Sequence, residues 1–243
     1  GLGAARNTGL RHARGAFLTF ADSDDELPPD AIETLVKALR KSGSDFAIGT
    51  PRRMTEQRRW VPDWAGQVHA RDRYGVQVGD FPDVLKDVFV CNKLFRTDFF
   101  QRVVQRFPVG IRYEDQEPTA KAFTAGTFDV LAAVTYDWRV REDGSSITQQ
   151  KADPDDLADR LTVKHRVRQI LREQADPVTY TAWLAKAVGF DLRSYVEQVP
   201  RTDLDYWTTL QQATAQLAAD LDTDGWNQIP IIDRLATLAL VAD

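Results

Sequence analysis

The sequence predicts a mixed α/β domain over about residues 1–148, followed by a helical region over residues 149–243. The first fifty residues alternate helix-like and strand-like segments, which is the pattern of α/β proteins. After Asp153-Pro154 the pattern changes to sustained helical periodicity. A chain of 243 residues with 43% hydrophobic and 28% charged residues is typical of a globular protein, and it can bury a sizeable core without disulfides.

The first fifty residues contain the clearest start and stop signals. Gly15 and Gly43 each follow a helix-like stretch, where glycine commonly ends a helix, and Pro28-Pro29 suits a helix start. The short apolar runs between them fit buried strands. The predicted elements are a helix over 4–13, a strand over 16–20, a helix after Pro29 and a strand over 46–49.

The middle of the chain has weaker signals. We expect residues 51–79 to form an irregular excursion or a long hairpin, because they contain several arginines and few periodic apolar residues. The elements predicted after it are a strand over 89–91, a helix from Thr97 to Val104, a helix from Glu114-Asp115 to Gly126, and strands or an extended hairpin over 130–134 and 136–140.

The C-terminal region reads as helices with acidic caps at Asp155 and Asp176. One helix face has an apolar stripe, formed by Leu157, Leu161, Val167, Ile170 and Leu171. Basic residues crowd the same stretch, and a solvated face is the favoured interpretation; a patch for an anionic polymer or membrane surface is the alternative. These residues are Arg160, Lys164, Arg166, Arg168 and Arg172.

Composition excludes several classes of function. The net charge is −5 and the chain lacks a nucleic-acid-binding motif, so we expect no nucleic-acid partner. Cys91 is the single cysteine, which rules out an internal disulfide or a CxxC zinc site and suits a reducing compartment. No apolar run has bilayer-spanning length, so the expectation is a soluble or membrane-peripheral protein. The three histidines show no ligand spacing.

The most informative motif is Asp22-Ser23-Asp24-Asp25, directly after a predicted buried strand. Alternating carboxylates at the carboxyl end of a strand can share a Mg²⁺ or Mn²⁺ ion, which prefers oxygen ligands. Such an ion can bridge a diphosphate and offset the charge of a departing nucleotide. Taken alone, the motif is more typical of a solvated acidic cluster before a helix N-terminus.

The surrounding sequence resembles family 2 glycosyltransferases. Residues 1–10, Gly-Leu-Gly-Ala-Ala-Arg-Asn-Thr-Gly-Leu, precede a short strand and the DxD motif in the order and spacing of that family. Three later segments are similar to the subgroup that builds teichoic acids and capsular polysaccharides: residues 92–96, Tyr113-Glu114-Asp115, and residues 136–141 leading to 144–148. The resemblance spans about residues 1–148 and implies part of a GT-A fold.

The resemblance implies a donor site for a nucleotide-diphosphate sugar, most simply a UDP-sugar. Asp22 and Asp24 would hold the metal, Mg²⁺ or Mn²⁺, together with the donor diphosphate. Arginine side chains suit phosphate oxygens, and serines beside a glycine suit a mobile phosphate-binding loop. The residues implied for donor phosphates are Arg6, Arg139, Arg141, Ser145 and Ser146. For Arg139 and Arg141, a solvent-facing pair on an extended segment is the open alternative.

The catalytic and acceptor roles are also implied by the resemblance. Asp115, paired with Glu114, would be the general base of an inverting transfer, since inversion requires a base opposite the leaving group. The alternative is an acidic pair that only complements a helix N-terminus. Lys93 would contact the acceptor, a glycan or polyol-phosphate of the cell envelope, unless it is an ordinary surface lysine. The location implied is the cytoplasm, at the inner face of the cell membrane.

One departure from the family concerns its earlier portion, whose strands hold the nucleotide base and a further acidic residue. The sequence starts after that portion, so we expect these residues alone to be inactive. The alternative function is a non-catalytic or scaffolding module of a bifunctional glycosyl/glycerophosphotransferase.

Overall fold

The computed structural model describes residues 1–141 and 150–242. The chain divides into two compact units, Gly1–Ser145 and Ser146–Asp243. The first unit is a mixed α/β domain and the second is helical. No helix in the described ranges is long and apolar enough to cross a membrane.

The described part of the first unit is built on a six-stranded mixed sheet with the order β1-β5-β2-β6-β4, with β3 paired to β2. The strands are β1 (Phe17–Leu18), β2 (Phe46–Met54), β3 (Arg59–Trp60), β4 (Arg73–Val76), β5 (Lys93–Arg96) and β6 (Phe128–Arg139). Strands β2 and β6 are parallel, and β5 is antiparallel to both β1 and β2. Strands β1, β2 and β6 therefore run in one direction, and their carboxyl ends meet at one edge of the sheet.

Helices cover both faces of this sheet. They are α1 (Leu2–His12), α2 (Ala31–Ser42), α3 (Asp63–Val68), α4 (Thr97–Phe99), which continues as a π-helical turn over Phe100–Val104, and α5 (Gln116–Ala125). Short 3₁₀ turns lie at Val78–Asp80 and Pro82–Lys86. Helix α2 ends, as predicted, at Gly43, whose φ of 80° lies in the left-handed region that glycine adopts without strain.

The core lies on both faces because successive strand residues point to opposite sides. Ala47 of β2 packs under Leu35 and Leu39 of α2, in a cluster that also contains Leu94 and Leu131. The neighbouring Phe46 points to the other face, toward α4 and α5. Its ring lies 5.3–5.9 Å from four other phenylalanine rings, those of Phe95, Phe99, Phe123 and Phe128.

Three predictions about the middle of the chain were wrong. Phe89–Cys91 is not a strand, since the Lys93 N–H donates to the Val90 carbonyl in a turn and β5 starts at Lys93. The two segments predicted after Val130 form one strand, β6, because bulges against β2 absorb the extra residues. Residues 51–79 are not one long hairpin: β2 and β3 form a hairpin at the start of the segment, and a helix, α3, and a sheet strand, β4, follow it.

The second unit contains α6 (Pro154–Gln174), α7 (Pro177–Lys186), α8 (Arg193–Val196), α9 (Leu204–Ala218), α10 (Thr223–Gln228) and α11 (Ile231–Val241), with a π-helical turn at Ala187–Asp191 and a 3₁₀ turn at Val199–Arg201. Asp176 caps α7 as predicted, accepting from the Thr179 N–H at 3.0 Å. The cap of α6 is Asp153 rather than Asp155, because Pro154 already occupies the first helical position.

The prediction that the basic residues of α6 form a solvated face is wrong for Lys164. Lys164 is only 1% exposed, and its ammonium group donates to Asp191, which also accepts from Lys186 at 2.9 Å. Burial lowers the pKa of Lys164 to about 7, against the opposing effect of Asp191. Arg168 is likewise paired, with Asp220 at 2.5 Å.

Candidate active site

The acidic motif lies along the carboxyl end of β6. The Asp22 N–H donates to the Tyr136 hydroxyl at 3.0 Å, and that hydroxyl donates to Asp25 Oδ2 at 2.6 Å. The Arg139 N–H donates to the other oxygen of Asp25 at 2.8 Å. Asp25 is thus engaged in holding the motif against the strand, which leaves Asp22 and Asp24 with partly exposed carboxylates, 30% and 36% accessible.

Arg6 connects this motif to the second acidic pair. Its guanidinium donates to Asp22 Oδ1 at 2.7 Å and to Glu114 Oε1. The Arg6 side chain is only 10% exposed. Burial lowers the pKa of Arg6, but Cys91, Asp22 and Glu114 outweigh that effect and raise it. The arginine is therefore a permanently charged link between Asp22 and Glu114, and its contact with Glu114 spans 108 positions in sequence.

The loop before α5 is shaped by close contact with α1. A Cβ atom on Gly3 would lie 2.0 Å from the Pro108 carbonyl oxygen, so only glycine permits this approach. Four residues along the helix, the Asn7 side chain pairs with both backbone groups of Phe107, at 2.8 and 2.9 Å. Tyr113 has a φ of 61°, a strained value for a residue with a side chain. These contacts fix the backbone that presents Glu114 and Asp115.

Asp115 stands at the N-cap position of α5 and makes no capping hydrogen bond through its side chain. It is half-buried, whereas Glu114 is only 6% exposed. Burial, with a further contribution from Glu114, raises the pKa of Asp115 to about 7, although Arg6 and Lys93 act in the opposite direction. Asp115 is therefore close to the Arg6 cluster, and its carboxyl group changes protonation near neutral pH.

Lys93 is neither a surface lysine nor placed to contact an acceptor, because it is fully buried at 0% exposure. Its ammonium group donates to Asp87 Oδ1 at 2.7 Å, to Asn92 Oδ1 at 3.1 Å and to the Phe89 carbonyl. The other oxygen of Asp87 accepts from Asn92 at 2.6 Å and lies 2.9 Å from His69 Nε2. This buried network fixes the chain entering β5.

Arg139 and Arg141 converge on Asp24. Arg139 Nε donates to the Asp24 carbonyl at 2.7 Å, and Arg141 grips the Asp24 carboxylate at 2.7 and 3.0 Å. The Arg141 contact lowers the pKa of Asp24. A second contact of Arg139, to Glu26 at 2.9 Å, ties it to the motif as well. Ser145 and Ser146 lie outside the described residues.

Residues 1–104 match the family model of Glycosyl transferase family 2. Over these residues the chain is similar to glycosyl transferase family 2. The match contains α1, the acidic motif and the sheet as far as β5, and it ends before the Glu114-Asp115 pair.

Curated relatives and solved structures agree with this family. Glycosyltransferase GlyA of Streptococcus pneumoniae serotype 4 is 49% identical over 49 residues, which are 20% of this chain and 7% of that protein. The uncharacterized glycosyltransferase EpsJ of Bacillus subtilis is 26% identical over 121 residues, 49% of this chain and 35% of that protein. The chain thus spans about a third or less of these relatives.

The fold is that of GT-A glycosyltransferases. The crystal structure of S. aureus TarS 1–349 in complex with UDP-GlcNAc matches with a TM-score of 0.74 at 18% identity, covering 98% of this chain and 69% of that one. At this identity the match establishes the fold, and the predicted partial GT-A architecture is confirmed.

The acidic motif supplies ligands of the type that a hard divalent ion prefers. Among the described residues, no group of three or more His, Cys, Asp or Glu side chains is arranged around a common point. Mg²⁺, however, is usually bound through one or two carboxylates together with substrate phosphates and water. The partly exposed oxygens of Asp22 and Asp24 fit that kind of shared site.

Sequence patterns missed several residues of this candidate site. Tyr136 and Asp25 position the acidic motif, and Cys91, 3% exposed, lies 3.8 Å from Arg6. His69 was set aside for lack of ligand spacing, yet it is buried against Asp87. The sequence shows only that polar residues lie next to strand ends. It does not show which residues they contact, because their hydrogen-bond partners are 18 to 111 positions away.

Proposed function

We propose that this chain forms the metal, diphosphate and acceptor side of an inverting glycosyltransferase. The donor is a nucleotide-diphosphate sugar, most simply a UDP-sugar, and the acceptor is a hydroxyl of a cell-envelope glycan or polyol-phosphate polymer. The family match, the GT-A fold and the resemblance of residues 113–115 and 136–148 to the teichoic acid and capsular subgroup support this proposal. The similar TarS structure is a complex with UDP-GlcNAc, which supports the donor class.

The observation that carries the proposal is the double contact of Arg6. One guanidinium binds Asp22 of the acidic motif and Glu114 of the second acidic pair, so both motifs belong to a single cluster. If Glu114-Asp115 only complemented the start of α5, no link to the acidic motif would be required. A cation between two acidic motifs also limits their repulsion and keeps them close enough to act on one substrate.

The proposed role of Asp115 is to remove the acceptor hydroxyl proton. The acceptor oxygen then forms a bond to the anomeric carbon of the donor, and the bond from that carbon to the β-phosphate oxygen breaks with its electron pair leaving on the nucleoside diphosphate. A pKa of about 7 suits this role, because a base works best when its pKa lies near the operating pH. Glu114, held by Arg6, positions the loop.

At the donor end, Asp22 and Asp24 would hold the divalent ion. When bound, the ion supplies positive charge that offsets the charge of the departing diphosphate. Arg139 and Arg141 already lie against Asp24, and their guanidinium groups suit phosphate oxygens as alternative partners. Ser145 and Ser146 follow them in sequence and complete the proposed donor set.

Binding of UDP in the presence of MnCl₂, measured by calorimetry, tests the proposal without requiring turnover. We expect Asp24→Asn to abolish the Mn²⁺-dependent part of the affinity. The matched control is Asp30→Asn, since Asp30 is an exposed carboxylate in the same acidic segment and makes no side-chain cap to α2. Equal loss in both variants, or UDP binding that is indifferent to Mn²⁺, would rule out the metal-diphosphate site.

A scaffolding module built on the same fold is the alternative function. In a scaffolding module Asp115 has no catalytic role. Asp115→Asn would then leave sugar transfer unchanged in a longer form of the protein that shows transfer. Our proposal predicts that this variant retains Mn²⁺-dependent UDP binding and loses transfer.

A further inference from the structure

Arg53 differs from five other arginines at the carboxyl edge of the sheet. Each of those has a carboxylate partner within salt-bridge distance, whereas the Arg53 guanidinium makes no hydrogen bond to another described residue. Its Nε atom is buried and unpaired. The paired arginines are Arg6, Arg52, Arg59, Arg139 and Arg141.

An aromatic surface lies directly beneath this arginine. The Arg53 guanidinium carbon is 4.9 Å from the centre of the Trp138 ring, and the Trp138 ring is 4.4 Å from that of Phe89. Arg53 and Trp138 are direct partners in the parallel β2–β6 register, so the stack is fixed by the sheet. All three side chains are half-buried, which leaves part of each open to solvent.

Phe89 links the stack to the start of α5. The Phe89 carbonyl accepts from Lys93, whose charge influences the pKa of Asp115. The neighbouring Val88 carbonyl accepts from Thr119 at 3.4 Å, in the first turns of the helix that Asp115 precedes. Phe89 therefore lies beside the start of α5, where the acceptor hydroxyl must be deprotonated if Asp115 is the base.

We propose that Arg53, Trp138 and Phe89 form an acceptor subsite that binds a phosphate group of a polyol-phosphate acceptor. The guanidinium fork takes the phosphate oxygens, and the rings contact the polyol carbons. This inference rests on the proposed function and goes beyond it, because it assigns the acceptor's charge to a specific residue. An arginine is preferred for this task since its planar fork matches phosphate geometry and stacks on aromatic rings.

The cost of leaving Arg53 unpaired supports a ligand. A buried donor without an acceptor is unfavourable, and folded proteins rarely retain one without a reason. Burial lowers the pKa of Arg53, and no nearby carboxylate reverses that effect as it does for Arg6. A bound phosphate would pair with the terminal guanidinium nitrogens, which are not buried, and compensate the charge.

The experiment compares a synthetic glycerol-phosphate oligomer with an uncharged polyglycerol of the same length, each titrated into the full chain by calorimetry. We expect the wild-type chain to prefer the charged oligomer, and Arg53→Gln to bind it about tenfold more weakly, the effect of losing one charge-assisted hydrogen bond. Binding of the uncharged oligomer should not change. The control is Arg40→Gln, which removes an exposed arginine near the end of α2.

A separate titration with UDP and MnCl₂ identifies the source of the phosphate. A loss of UDP affinity in Arg53→Gln, with oligomer binding intact, would assign the residue to the donor and overturn the acceptor subsite. Unchanged oligomer binding in Arg53→Gln, or a wild-type chain without preference for the charged oligomer, would also overturn it. Arg53-dependent oligomer binding without any UDP binding would retain the subsite and reject the proposed glycosyltransferase.

Folding of the variants is checked by circular dichroism before titration. If Arg53→Gln does not fold, Arg53→Lys keeps the charge and removes the fork. We then expect a loss of affinity for the charged oligomer only, and equal affinity to wild type would contradict the proposal.

Discussion

Replacement of Lys93 by methionine tests whether this lysine has a structural role. Lys93 and Asp87 are both 0% exposed, and their charged groups are 2.7 Å apart. Burial raises the pKa of Asp87, but Lys93 and His69 outweigh burial and lower it to about 2, so the carboxylate is ionised at neutral pH. Lys93→Met leaves that charge without its cation in a dry environment.

The expected loss of stability is large. Removing one partner of a buried ion pair typically costs about 3–5 kcal/mol, because the remaining charge is uncompensated. With a urea dependence of about 2–3 kcal/mol/M, the unfolding midpoint should fall by about 1–2.5 M. Hydrogen exchange of the β2 and β5 amides, measured against urea concentration, reports on this unit alone.

Two further variants make the test decisive. Lys86→Met removes a partly exposed lysine that pairs with Asp83 on the surface, and such pairs contribute less than about 1 kcal/mol. The double variant Lys93→Met, Asp87→Asn should regain part of the loss, because no unpaired charge remains. If Lys93→Met behaves like Lys86→Met, the buried network does not stabilise the fold.

Three other outcomes are expected. In a longer form of the protein that shows sugar transfer, the rate should increase as pH rises through about 7, because Asp115 then loses its proton. Asp115→Asn should reduce that rate about 10²–10⁴-fold, and a pH-independent rate would contradict the role as base. Gly3→Ala should destabilise the first unit by about 1–3 kcal/mol, because its methyl group would clash with Pro108. Gly9→Ala should stabilise the unit slightly, since open space surrounds that position of the same helix. Equal thermal unfolding of the two variants would contradict the contact between α1 and Pro108. Folding lowers the pKa of Lys164 from 10.5 to about 7, so the unfolded chain binds more protons than the folded chain above pH 7. The helical unit should therefore become more stable between pH 7 and 10. Urea unfolding of Lys164→Met should show a smaller increase in stability over that pH range.

Local signals in the sequence were sufficient for much of the fold. The helix that Gly43 ends, the strand that begins at Phe46 and the helix that follows Asp115 all depend on residues within a few positions of one another. The DxD motif was visible for the same reason, since its residues are adjacent to one another and to a buried strand. Strand boundaries in the middle of the chain were not predictable, because β4 and the single strand β6 are defined by pairing with distant partners.

By itself, the sequence determined the α/β class, the family resemblance and the acidic residues of the site, because these are properties of residue type and short spacing. Only the tertiary structure decided which charges meet. It paired Arg6 with residues 16 and 108 positions away, buried Lys93 against Asp87, and left Arg53 on an aromatic ring without a carboxylate. The physical reason is that burial and electrostatic pairing depend on distances through space, which the order of residues along a chain does not contain.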